Sequence, residues 1–335
     1  MNLESLNAVD SKKMYEIYDK WPDIARDSFY EDYEKFDVKD IDHVVFVGMG
    51  GSGSIGDTLS SVLSKEDIHV SNVKGYHLPH TVDSNTLIIT TSISGNTIET
   101  LTVLENAHKT NAKIAAFSSG GIMKSFCKKN NIFYNEIAMV HSPRASFTKY
   151  LFSILNILED IIPIQKTHVK ESIADLEKTR SDISSDNMIE NNTSLKLAEW
   201  IKKIPLVYYP WGLQSVAIRF KNSLQENSKS HAITEDVIEA CHNGIVAWEK
   251  NREVQPILVR GHDDYIKTIE RWDILKQFFD EKKIDYFEIK SNSGNILSKI
   301  INLIYVLDYA SIYHAVLNQV DPTPVGPIDF IKKRI

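Results

Sequence analysis

Cysteine is nearly missing from this chain. Cys127 and Cys241 are the only two in 335 residues and stand in unrelated contexts. That excludes a disulfide framework and points to a reducing cytoplasm. A basic excess is missing too: 38 Lys and Arg stand against 45 Asp and Glu, for a net charge of −7. A nucleic-acid-binding surface would need the opposite balance. No apolar run reads as the roughly 18–20 residues of a membrane helix, and the opening stretch MNLESLNAVDSKKMYEIYDKW is polar rather than leader-like. No His, Cys or acidic cluster has ligand spacing. His77 and His80 in YHLPH read as loop histidines, so no metal is expected. What remains is ordinary for a globular protein, 42% hydrophobic and 25% charged, and long enough for two domains with separate cores.

Glycine is concentrated where a strand ends. Val44-Val45-Phe46-Val47 reads as a buried parallel strand and breaks into Gly48-Met49-Gly50-Gly51-Ser52-Gly53, with a helix expected over 55–63. A second buried strand over 86–91 runs into Ser92-Ile93-Ser94-Gly95-Asn96-Thr97 and another helix. The first turn formally satisfies G-x-G-x-x-G, but the next strand ends in Val73-Lys74-Gly75-Tyr76, without the acid that would hold a ribose. The lysine of a P-loop is also missing after Gly53. A lone serine at such a turn is most often a helix cap. Here Ser52, Ser92, Ser94 and Thr97, together with Gly50 and Gly51, line two strand-to-helix turns, and that set points to a phosphate group held by N–H and O–H donors.

In chain order the reading is a helical lead-in over 1–40, then alternating strands and helices over 41–164. A charged, glycine-free helical connector over 165–199 leads to a second alternation over 200–335. The fold class is α/β, two doubly wound parallel sheets in tandem with no visible sequence repeat. Tyr208, Tyr209 and Trp211 read as core packing rather than as a stacking platform.

Taken together, GMGGSG, SISGNT, Pro143-Arg144-Ala145, Gln225-Glu226-Asn227, His242-Asn243 and the closing Asp321-Pro322-Thr323-Pro324 to Lys332 resemble the archaeal-type bifunctional phosphoglucose/phosphomannose isomerases of the sugar isomerase (SIS) superfamily. The resemblance implies two SIS domains, a homodimer with shared sites, no metal or other cofactor, and interconversion of fructose 6-phosphate with glucose and mannose 6-phosphates. It implies Glu226 as the base that carries a proton between C1 and C2, and Arg144 as the cation beside the enediolate. It further implies His242, reaching from the other subunit, and Lys332, next to Lys333, as the groups that open the sugar ring. Such roles suit these side chains. The chain departs from the family after His242-Asn243, where Gly244 stands in place of a common glutamate. Should Glu226 not be the base, Glu235 and Glu239, read as lying in the same loop, are the next carboxylates. Two alternatives stay open: an SIS isomerase of another sugar phosphate or amino-sugar phosphate, and a sugar-phosphate sensor without catalysis. A sensor has no need of Glu226, Arg144 and His242 together.

Overall fold

A computed structural model describes residues 1–189, 191–250 and 253–335. The chain divides into two compact units, Lys20–Ile173 (the first unit) and Met1–Asp19 with Ala174–Ile335 (the second). The expected lead-in is therefore split between them. Helices α1 (Leu3–Val9) and α2 (Met14–Asp19) belong to the second unit, and α3 (Trp21–Tyr30) to the first.

In the first unit the most apolar runs become the central strands, β1 (His43–Val47) and β3 (Thr86–Thr91), and every residue of both is buried. Burial on both faces is why they read as continuous Val, Ile and Leu rather than as an alternation. With β2 (His69–Val73), β4 (Lys113–Ser118) and β5 (Phe133–Glu136) they form a wholly parallel sheet in the order β2-β1-β3-β4-β5. Helices α4 (Gly50–Val62), α5 (Ile98–Ala107), α6 (Gly121–Lys129) and α7 (Phe147–Ile157) complete the unit. Sheet growth reverses direction between β1 and β3, so their carboxyl ends open a crevice, the usual place for a ligand in such sheets. Pairing of Val47 with Thr90 puts both expected turns at that crevice.

Helix α4 begins at Gly50, not near residue 55. Its low helix propensity is overridden by tertiary packing, and Gly50, Gly51, Ser52 and Gly53 form the helix's first turn rather than a free loop.

The second unit repeats the plan with a parallel sheet ordered β7-β6-β8-β9: β6 (Ile204–Tyr209), β7 (Ile233–Asp236), β8 (Val254–Arg260) and β9 (Phe287–Lys290). Helices α8 (Lys166–Ile183) and α9 (Thr193–Trp200) fall in the stretch expected as a helical connector; Glu190 between them lies outside the described residues. Further helices are α10 (Gln214–Ser223), α11 (Val237–Ala240), α12 (Ile266–Glu281), α13 (Ile296–Leu317) and α14 (Gly326–Lys332). Strand β7 and helix α11 put Glu235 and Glu239 on regular elements, not in the loop expected for them.

The absence of a long apolar run needs correcting. Helix α13 spans 22 residues and is long and apolar enough to cross a membrane, but 89% of its most apolar window is buried in the fold. It is the core helix of the second unit. Its polar residues are satisfied internally: Asp308 accepts from Arg219 Nη2 at 2.6 Å, Arg219 Nε at 3.0 Å and Ser223 Oγ at 2.7 Å. The aromatic cluster also divides. Tyr208 and Tyr209 are buried, but Trp211 is 66% exposed in the turn after β6, beside Gly212 with φ +92°.

Candidate active site

Hydrogen bonds within and between the turns order the first-unit crevice. Ser52 Oγ in the first turn of α4 accepts from the Ile93 N–H at 3.1 Å, tying the turn after β1 to the turn after β3. Ser92 Oγ donates to Thr97 Oγ1 at 3.0 Å and accepts from the Thr97 N–H at 3.4 Å. Ser94 Oγ accepts from the Asn96 N–H at 3.3 Å. Ser52, Ser94 and Thr97 therefore use lone pairs in these bonds and keep their O–H protons to donate. Thr97, the N-cap of α5, makes no side-chain cap bond to its own helix, and neither does Met49 at α4. Two helix N-termini with uncapped N–H groups and hydroxyl donors in one crevice suit an acceptor-rich dianion.

The structure brings Arg144 to the same place. A Cβ on Gly51 would lie 3.1 Å from Arg144 Cα and 3.1 Å from the Pro143 carbonyl oxygen, so only glycine lets the two backbones meet this closely. Ser146, at the start of α7, pins the Arg144 loop: its hydroxyl accepts from the Val140 N–H and donates to the Ser142 carbonyl, each at 2.8 Å. Arg144 itself is buried.

A third turn, absent from the expected site residues, packs behind the second. After β4, Ser119 Oγ donates to the Ile93 carbonyl at 2.6 Å, and the Ile122 N–H donates to Asn96 Oδ1 at 3.0 Å. The turn Ser119-Gly120-Gly121 thus buttresses the SISGNT segment from behind. Its signal was the run Ser118-Ser119-Gly120-Gly121 at a strand end.

Glu226, His242 and Lys332 belong to the second unit. Glu226 is half-buried in a π-helical turn, Leu224–Ser228, that continues α10. One residue is inserted into the helical spacing there, a distortion that recurs at functional sites. His242 is exposed in the turn after α11, and Lys332 and Lys333 are exposed at the end of α14.

Gly244 has a structural counterpart. A Cβ at this position would lie 2.3 Å from Glu235 Oε1, so the Glu235 carboxyl occupies the space a side chain at 244 would need. Burial pushes that carboxyl up, and the neighbouring Glu239 and Asp236 push it further. Among the described residues no three His, Cys, Asp or Glu side chains are grouped as metal ligands would be.

Comparison with known proteins gives this geometry a family. The bacterial phospho-glucose isomerase C-terminal SIS domain matches residues 190–335. A bifunctional phosphoglucose/phosphomannose isomerase of Caldicellulosiruptor bescii is 34% identical, over 89% of this chain and 90% of that protein. A D-glucosamine-6-phosphate 4-epimerase of Sulfolobus acidocaldarius is 28% identical, over 73% of this chain and 77% of that protein. Among solved structures, the tagatose-6-phosphate ketose/aldose isomerase of Escherichia coli superposes with a TM-score of 0.69 over 95% of this chain and 96% of that one, at 13% identity; at that identity the likeness is one of fold. With two parallel doubly wound units, hydroxyl-rich turns at the first switch point and this degree of identity over most of its length, the chain belongs to the bifunctional phosphoglucose/phosphomannose isomerases of the SIS fold.

Proposed function

We propose that the protein interconverts fructose 6-phosphate with glucose 6-phosphate and mannose 6-phosphate through a cis-enediol. The observation that carries the reading is the first-unit crevice, where two uncapped helix N-termini and the hydroxyls of Ser52, Ser92, Ser94 and Thr97 converge beside Gly50, Gly51 and the Arg144 loop. Ser52, Ser94, Thr97 and the N–H groups hold the 6-phosphate, and Ser92 orients Thr97 through the bond it donates. Glu226 takes the proton from C2 of the aldose; the C–H electron pair forms the C1=C2 bond, and the former carbonyl oxygen becomes the enediolate oxygen, stabilised by Arg144. The C2 hydroxyl proton passes to O1, and the Glu226 carboxyl returns its proton to C1 as the C2–O bond becomes the carbonyl, giving the ketose. His242 and Lys332 assist the ring opening that precedes this. The enzyme works as a cytoplasmic homodimer and needs no metal or other cofactor.

Glu226→Gln tests the reading, since it keeps the shape but cannot accept a proton. Turnover should fall by about 10²–10⁴-fold, the usual contribution of general acid–base catalysis, with substrate affinity nearly intact. Exchange of the C2 proton of glucose 6-phosphate with deuterated solvent should stop. Wild-type exchange by the Gln variant would remove Glu226 from the role. The similarity to an amino-sugar phosphate epimerase favours one second reading, an amino-sugar phosphate as substrate. Glucosamine 6-phosphate in the same assay decides between them.

A further inference from the structure

The π turn that carries Glu226 ends at Lys229, whose backbone is left-handed, φ 57° and ψ 28°. Residues with a Cβ avoid that conformation. Here the Lys229 side chain returns onto the turn it has just left. The three protons of its ammonium are shared among four carbonyls, those of Glu226 at 2.7 Å and Asn227 at 3.2 Å and those of Asp321 at 3.1 Å and Pro322 at 3.2 Å. The first two belong to the turn around Glu226. The other two belong to the segment between α13 and α14, upstream of Lys332.

Both sides of this contact are themselves fixed. Asn227 is fully buried, and its amide donates to Ser311 Oγ on α13 at 2.8 Å. Asp321 accepts from Ser11 Oγ at 2.6 Å and from the Thr323 N–H at 2.9 Å. Carbonyls at a helix end carry partial negative charge, and a cation there is favoured. Four carbonyl oxygens around one ammonium also form the kind of shell that replaces the hydration of a monovalent cation.

We propose that Lys229 is a positioning residue: its ammonium clamps the Glu226 turn to the Asp321–Pro322 segment, so that one cation sets both the base and the start of the tail that carries Lys332. The inference rests on the reading of Glu226 as the base. A cap that merely ended the helix would bind only the carbonyls of its own turn, and would leave the tail indifferent to its loss.

Lys229→Ala vacates a carbonyl-lined space that ammonium or potassium ions fit, whereas Lys229→Met fills it without charge. Activity and backbone hydrogen exchange over residues 320–335 are measured in both variants. Turnover should fall by more than about tenfold with the Michaelis constant for fructose 6-phosphate little changed, the pattern of a misplaced catalytic group. Exchange in the tail should accelerate. Ammonium or potassium chloride should restore the Ala variant on both readouts, while lithium and tetramethylammonium chloride should not. If Lys229→Ala does not fold, Lys229→Met carries the test by turnover and exchange alone. Wild-type turnover, unaltered tail exchange, or an Ala variant that ammonium and potassium both leave unrestored overturns the clamp. A fully active Glu226→Gln would instead overturn the reading of the base, and tail exchange would still judge the clamp.

Discussion

At the residue scale, the site depends on side chains whose surroundings differ from what their sequence neighbours suggest. Glu235 is the clearest case. Its carboxyl, raised by burial and by Glu239 and Asp236, holds a proton more tightly in the folded chain than in the unfolded one. Stability linked to that proton is present at acid pH and is lost as pH rises from the usual glutamate range through the raised value, so the ionised group opposes folding near neutrality. Glu235→Gln should therefore raise the melting temperature at pH 7.5, and the gain should shrink as pH is lowered toward 4. Equal gains at both pH values would mean that the carboxyl is not strained by its surroundings. The same contact explains why Gly244 fits beside His242: the space a longer residue would claim is taken by a side chain from β7. Nothing in the string His242-Asn243-Gly244 announces this, because the partner lies nine positions earlier in the chain. The four carbonyls around Lys229 leave no trace in the pattern either, since any residue type supplies a carbonyl.

At the scale of elements, α10 and its π turn are held to α13 by a buried ion pair, with Arg219 and Asp308 side chains 3% and 0% exposed. Removing one member of such a pair strands a buried charge, so Asp308→Ala should cost about 3–5 kcal/mol. Denaturant unfolding followed by tryptophan fluorescence suits the test, because Trp200, Trp211, Trp248 and Trp272 all lie in the second unit. Arg219→Met in the same chain should recover part of the loss, since a buried pair replaced by apolar groups is often near neutral. If the double variant is no more stable than Asp308→Ala, the loss comes from the cavity rather than the stranded guanidinium. Elements buried on both faces were also the most legible: β1 and β3 declare themselves by unbroken apolar runs ending in glycine or serine. Strand β7, four residues long with two acids at its end and at the sheet's edge, carries no such run. Helix α14 opens on Gly326-Pro327 and spans seven residues, and its Ile328, Phe330 and Ile331 are exposed, so the pattern is too short to declare a helix. Helix α13 was legible as a long helix over 296–318, but its apolarity as a spanning-sized segment was not, because Asn302, Asp308 and the tyrosines interrupt the run.

At the scale of the molecule, the residues proposed for catalysis fall into two groups, with the phosphate cradle and Arg144 in the first unit and Glu226, His242 and Lys332 in the second. If His242 serves the partner's site, as proposed for a two-fold dimer, each site draws Glu226 from one protomer and His242 from the other. Exposure of His242 in the isolated chain agrees with that role. The consequence is quantitative. In a hybrid of a Glu226→Gln protomer and a His242→Ala protomer, one site carries both lesions and the other carries neither. Mixing the two inactive proteins in equal amounts and letting subunits exchange makes about half the dimers hybrids, each with one intact site, so specific activity should return to about a quarter of the wild-type value. If both residues serve the site of their own protomer, every site in the hybrid keeps one lesion and activity stays at the level of the parents. Sedimentation of the mixture confirms that exchange has left the particles dimeric. A protein that is active as a monomer would exclude the shared site outright, whatever the mixture shows.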